Sequence, residues 1–105
     1  MNQLRNEINE NARKHGFWED ERPFSEVIAL CHSELSEALE EYRNGHGYNE
    51  IYFNDRKPEG IPAELADCII RILDFCGQYG IDIGGAIDLK CAYNKTRPYK
   101  HGKKI

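Results

Sequence analysis

No stretch of this 105-residue chain approaches the run of about 20 apolar residues that a membrane-spanning helix needs. Nor does a short apolar centre of the kind found in signal peptides stand near Met1. Both absences point to a soluble, cytoplasmic protein with no membrane partner. None of the four cysteines forms a C-x-x-C pair. Cys31, Cys68 and Cys76 sit among apolar residues at helical spacing, which predicts free, buried thiols rather than a disulfide or zinc site. No histidine follows an acid by three residues, which removes the Glu-x-x-His pairs of two-iron helical proteins. A formal charge of −4 argues against a general affinity for nucleic acid. One domain, 1–105, with a modest core is expected at this length.

Acid is missing altogether from residues 90–105, which carry 6 Lys/Arg, whereas residues 1–89 carry 8 Lys/Arg against 18 Asp/Glu. An acidic body with a basic end suits a polyanionic, metal-bound ligand. Taken alone, the basic end also reads as a solvated tail.

What the chain does have is a pair of acidic steps, Glu34-Leu-Ser-Glu37 and Glu64-Leu-Ala-Asp67, each inside an apolar, helix-forming stretch. Residues three apart on an α-helix share a face. With about 100° per residue and Glu34 as origin, Val27, Ala38, Cys31, Tyr42, Leu35, Ile28 and Leu39 form one apolar arc. Glu34, Glu37 and Glu41 lie together beside it. With Glu64 as origin, Phe75, Cys68, Ile61, Ile72, Tyr79, Leu65, Cys76 and Ile69 fill the matching arc, and Glu64 and Asp67 fall where Glu34 and Glu37 fell. Asp74 follows on the same flank. Two such helices packed core to core bring their acids to one edge. Carboxylates gathered there repel unless a cation sits between them, which predicts a hard divalent metal, most simply Mg²⁺. Solvated Glu pairs at this spacing are common, so the weight rests on there being two steps, each flanking a core stripe.

Around these steps the chain reads as four helices. A first spans 2–15, with Leu4, Ile8 and Ala12 at four-residue spacing, and Gly16 ends it. Phe17-Trp18 then either seals a core corner or offers a flat surface for a nucleobase. The second helix runs from Phe24 or Ser25, with Ser25 as a possible cap, to Arg43, stopped by Asn44-Gly45. Residues 44–60 have no helical period and predict a long loop, a lid or an interface. Pro62 opens the third helix, which runs to Gln78 or Tyr79. A second apolar set on it, Ala66, Ile70 and Leu73, predicts burial on two sides and hence self-association, as a homodimer or homotetramer, near this helix. Asp82 caps a last helix over 83–96. Along it Lys90, Asn94 and Arg97 recur on one face, and such residues can contact successive phosphate oxygens. Pro98 ends it, before the basic Tyr99-Lys100-His101-Gly102-Lys103-Lys104.

The two-part acidic motif resembles the MazG-like all-α nucleoside triphosphate pyrophosphohydrolases. The resemblance lies in Ser33-Glu-Leu-Ser-Glu-Ala-Leu-Glu40, Pro62-Ala-Glu-Leu-Ala-Asp67 and Lys90-Cys-Ala-Tyr-Asn-Lys-Thr-Arg-Pro98, and more weakly in Gly16-Phe17-Trp18. It implies an all-α, four-helix bundle-like core, Mg²⁺ dependence, an oligomer, and hydrolysis of a (deoxy)nucleoside triphosphate to the monophosphate and pyrophosphate. Carried onto this chain, Glu34, Glu37, Glu64 and Asp67 become Mg²⁺ ligands. Lys90, Asn94 and Arg97 become triphosphate contacts, with Trp18 at the base. Glu37 or Glu41 would orient the attacking water. The alternative is a non-catalytic Mg²⁺-nucleotide-binding or oligomeric interaction module, which binds without releasing pyrophosphate.

Overall fold

The computed structural model describes residues 1–102, with side chains through Lys100; Lys103 and Lys104 of the basic end lie outside the described residues. The chain is mostly helical: α1 (Asn2–Lys14), α2 (Phe24–Arg43), α3 (Ile61–Gln78) and α4 (Ile83–Lys95), with a 3₁₀ turn at Tyr99–Gly102. No described helix is long and apolar enough to cross a membrane.

The long connection between α2 and α3 is not irregular throughout. It contains an antiparallel hairpin, β1 (Tyr52–Asn54) and β2 (Lys57–Glu59), in which Tyr52 pairs with Glu59 and Phe53 with Pro58. Asp55 turns it in a left-handed conformation, φ 63°. Ser25 does not cap α2; Pro23 occupies the cap position and its carbonyl accepts from the N–H groups of Glu26 and Val27, which leaves Ser25 inside the first turn. Asp82 does cap α4, accepting from the Gly85 N–H at 2.9 Å.

Helix α3 is the centre of the packing, with α2 against one side and α1 against another. Val27, Cys31 and Ala38 of α2 and Cys68 and Cys76 of α3 are buried, with Cys31 beside Cys68 where the two helices meet. All four cysteines are free, and burial pushes the Cys31 and Cys76 thiols up. The second apolar set of α3 is partly covered from within the chain, because Leu73 is only 1% exposed. The helix that covers it, α1, docks through a polar stripe at four-residue spacing. Arg5 donates to the Ile81 carbonyl at 2.7 Å, buried Asn9 to Asp74 Oδ1 at 2.9 Å and Gln78 Oε1 at 3.1 Å, and Arg13 to Gln78 Oε1 at 3.1 Å.

Gly77 permits that approach. A Cβ there would stand 2.6 Å from Asn9 Cβ and 2.9 Å from the Arg5 carbonyl oxygen, so α1 would have to move. Gly77→Ala gains about 1 kcal/mol of helix propensity but overpacks a backbone contact. We expect a net loss of about 1–2 kcal/mol, read as a lower urea midpoint with an unchanged slope.

Helix α4 stands apart, so the packed core of one chain comprises three of its four helices. None of its residues is buried; Ile83, Gly84 and Gly85 are half-buried and residues 86–96 are exposed. Its root is tied to α1, where Asn2 donates to Asp82 at 2.8 Å and accepts from the Gly84 N–H at 2.9 Å.

Candidate metal centre

The two acidic steps meet where α2 packs on α3. One ligand oxygen each from Glu34, Glu37 and Glu64 lies within 4.8 Å of the others. A cation with oxygen ligands at about 2.0–2.6 Å spans such a triangle. Glu34 and Glu64 are 8% and 5% exposed, and the Oε2 atom of each is buried with no hydrogen-bond partner among the described residues. A buried carboxylate oxygen left without a donor costs free energy, and a metal ion supplies the missing partner. The residues therefore fit a hard divalent cation. Glu37 is exposed and Asp67 half-buried. Asp67 stands outside the tight triangle but lines the same cavity.

Electrostatics at the cluster are adverse without a cation. Burial, then a hydrogen bond shared with Glu37, then the charges of Glu37, Asp67 and Glu34 push the Glu64 carboxyl up to about 8. One native cation offsets part of this. Arg71 donates to Glu34 Oε1 from Nη2 at 3.2 Å and from Nε at 3.3 Å, which leaves Oε2 of the same carboxylate unpaired. Arg71 lies four residues after Asp67, within about 20° of Glu64 on a helical projection, so its place was readable from spacing.

A cavity of about 630 Å³ opens beside the cluster, between α1 and the α2–α3 pair. Its walls include Glu34, Glu37, Asp67 and Arg71, with Phe17, Asn11, Arg22 and Lys57 around them. Trp18 is not among its lining residues. Its indole N–H donates to Asp74 Oδ1 and Oδ2 at 2.9 and 3.0 Å, and its ring meets Tyr79 edge-on at 6.0 Å. The neighbouring Phe17, 54% exposed with the Arg22 guanidinium 5.6 Å from its centroid, is the aromatic ring that faces the cavity. Asp74, bonded by both Trp18 and Asn9, braces the α1–α3 corner.

Glu41 is also committed. Tyr52 Oη donates to its two oxygens at 2.8 and 2.9 Å, and His46 Nε2 stands 3.5 Å away. That bond pushes the Tyr52 hydroxyl up to about 12. Lys90, Asn94 and Arg97 are not brought to the acids within one chain. Lys90 and Asn94 sit on α4 and Arg97 just past its end, with the Lys90 and Arg97 cations 5.7 and 5.6 Å from the Tyr93 ring centroid, and none lines the acidic cavity. Among the described residues, the basic ones that do line it are Arg22, Lys57 and Arg71.

Compared with known proteins, the chain matches no family model, no curated protein and no solved structure.

Proposed function

We propose that this chain is a cytoplasmic, Mg²⁺-dependent nucleotide pyrophosphohydrolase of the MazG-like kind. It would cleave a (deoxy)nucleoside triphosphate to the monophosphate and pyrophosphate. The observation that carries the reading is the pair of buried, unpartnered carboxylate oxygens on facing helices, Glu34 Oε2 and Glu64 Oε2, beside Glu37. Glu34, Glu37 and Glu64, with Asp67 at the edge, would hold the cation. When bound, Mg²⁺ would supply neutralisation of the charge that spreads over the phosphoryl oxygens. With both oxygens of Glu41 taken by Tyr52, orientation of the attacking water falls to the exposed Glu37. Water adds at the α-phosphorus, the bond to the bridging oxygen breaks, and pyrophosphate leaves. Phe17, rather than Trp18, offers its face to the base.

A second copy completes the site in this proposal. The chain exposes 8074 Å², against about 6,100 Å² for a compact chain of this mass. Its radius of gyration is 16.4 Å, against about 13 Å for a compact domain of this length. Among the apolar residues that one chain leaves exposed are Leu89 and Tyr93 of α4 and a stripe of Ile28, Leu35 and Leu39 of α2 with Leu65, Ile69 and Ile72 of α3. Covering that stripe in a homodimer or homotetramer would let Lys90, Asn94 and Arg97 reach triphosphate across the interface.

The test is pyrophosphate release from a panel of canonical and modified nucleoside triphosphates, with Mg²⁺ and with EDTA. Release with monophosphate as co-product is expected only with Mg²⁺, falling at least 100-fold in Glu37→Gln, the scale of losing a general base. Binding of Mg²⁺-nucleotide without any release would instead favour the non-catalytic module. Neither binding nor release would sink the nucleotide reading.

A further inference from the structure

Of the three basic side chains among the described residues that line the acidic cavity, two are engaged at its walls, Arg71 with Glu34 and Arg22 over the Phe17 ring. Lys57 differs. Its side chain is 70% exposed, and its ion pair with Glu59, at 3.6 Å, joins that solvated ammonium to a carboxylate whose side chain is 21% exposed. A long pair with one end in solvent is weak, so the ammonium group can turn to another anion at modest cost.

The hairpin that carries Lys57 is itself held firmly. At its start, Tyr52 Oη is bonded to both oxygens of Glu41, one turn beyond Glu37 on α2. The His46 ring stacks on Tyr52 with centroids 4.7 Å apart, and His46 Nδ1 bonds Glu50 Oε2 at 2.9 Å. Glu50 Oε1 accepts from the Gly47 N–H at 3.0 Å. At its end, Gly60 has φ 116° and passes so close to the Glu50 carbonyl oxygen that any Cβ would overlap it. Four residues after Gly60 comes Glu64. The hairpin is thus fastened to α2 one turn past one acidic step and to α3 one turn before the other.

A polyphosphate entering this cavity meets carboxylates first, and the metal ion can neutralise only part of its charge. A cation on a fastened arm, long and mobile at its tip, supplies a further contact of the point-charge kind that lysine makes to phosphate. We propose that the β1–β2 hairpin is an arm of the site, that Lys57 contacts phosphoryl oxygens of a metal-bound polyphosphate ligand, and that the Tyr52–Glu41 pair positions it. The proposal rests on the reading of the acids as a metal–nucleotide site, which the buried, unpartnered Glu34 and Glu64 oxygens support independently of the hairpin.

Calorimetric titration of the full chain with inorganic tripolyphosphate, with Mg²⁺ and with EDTA, tests it. Lys57→Ala should weaken Mg²⁺-dependent binding about tenfold, the worth of one charge-assisted contact, and Lys57→Arg should recover most of it. Tyr52→Phe should weaken binding by less and add nothing in the Lys57→Ala background, because it acts through Lys57. A purely structural loss would add to Lys57→Ala, and that result would discard the positioning role. Wild-type binding in Lys57→Ala would overturn the arm while leaving the metal–nucleotide reading in place. A wild-type protein that binds neither tripolyphosphate nor nucleotide with Mg²⁺ would remove that reading, and the arm with it.

Discussion

Glu64→Gln is expected to make the metal-free protein more stable and to abolish its stabilisation by Mg²⁺. The two effects share one cause. Glu64 is 5% exposed, its Oε2 has no hydrogen-bond partner among the described residues, and burial with the neighbouring Glu37 holds its carboxyl at about 8 instead of the ordinary 4.5. A group whose native pKa is raised contributes its stability in the protonated form. That contribution is complete below pH 4.5 and is lost as pH rises through about 8, after which the curve levels. Metal-free protein should therefore lose stability between pH 5 and 8, at up to about 1.4 kcal/mol per pH unit for one proton. Glutamine cannot ionise, so the variant should lack that slope and melt higher at pH 8 by about 1–3 kcal/mol, or about 4–8 °C for each kcal/mol in a domain of this size. Saturating Mg²⁺, at 100 times its dissociation constant, should stabilise wild type by about 2.7 kcal/mol and Glu64→Gln hardly at all. Because the cation displaces the shared proton, wild type should also release close to one proton per Mg²⁺ bound at pH 7, measurable in buffers of different ionisation enthalpy. Thermal melts across pH with and without Mg²⁺ read all of this. A variant less stable than wild type at every pH would mean that the carboxylate is a satisfied structural group, and the metal assignment would fall.

How much of this was legible beforehand depends on the range of the interactions involved. Helix ends follow from local chemistry. Gly16 takes φ 81° after α1, Pro62 sits in the first turn of α3, and Asp82 caps α4 with its own side chain. The two acidic steps meet because helical period puts them beside the part of each apolar arc that packs, Val27, Cys31 and Ala38 on α2 and Ile61 and Cys68 on α3, while Ile28, Leu35, Leu39, Leu65, Ile69 and Ile72 of the same arcs stay open in one chain. Arg71 was equally readable from period, and it modifies the cluster by engaging one oxygen of Glu34. Other features are settled by partners far along the chain. Phe17 and Trp18 are adjacent, and which one turns toward the cavity is decided by Asp74, 56 residues after Trp18, which takes the indole N–H. The hairpin escapes a period-two search because each strand has three residues and one of them is Pro58. Asn9 is the least readable of all: a buried amide in a helix otherwise judged by Leu4, Ile8 and Ala12, it earns its burial through bonds to Asp74 and Gln78. For α4, apolar residues such as Leu89 and Tyr93 remain exposed in one chain, and the bonds that tie its root to α1, at Asp82 and Gly84, do not say what covers them.

Leu73→Ala is expected to cost about 3–5 kcal/mol, a large share of the stability of so small a domain. Leu73 is the one large side chain among the described residues below 2% exposure, and it sits where α1 crosses α3. Truncation there removes apolar burial and leaves a cavity that cannot close easily. Gly77, one turn along the same helix, already brings the α1 backbone in as far as Asn9 and Arg5 allow. The loss should be the same at any protein concentration, since both helices belong to one chain. Leu39 makes the opposite case. It is 48% exposed, so within one chain Leu39→Ala should cost less than about 1 kcal/mol. If a second copy covers the α2–α3 stripe, however, Leu39→Ala should lower the melting temperature more in dilute than in concentrated protein, because the lost contact belongs to association. Melting the two variants over a 100-fold range of concentration, with sedimentation velocity alongside, separates the terms. Concentration-independent melting of wild type and of Leu39→Ala, with a monomer in the centrifuge, would leave the apolar stripe to solvent. It would also leave Lys90, Asn94 and Arg97 away from the acids, and among the described residues the basic contacts to a polyphosphate would then have to come from Arg22, Lys57 and Arg71.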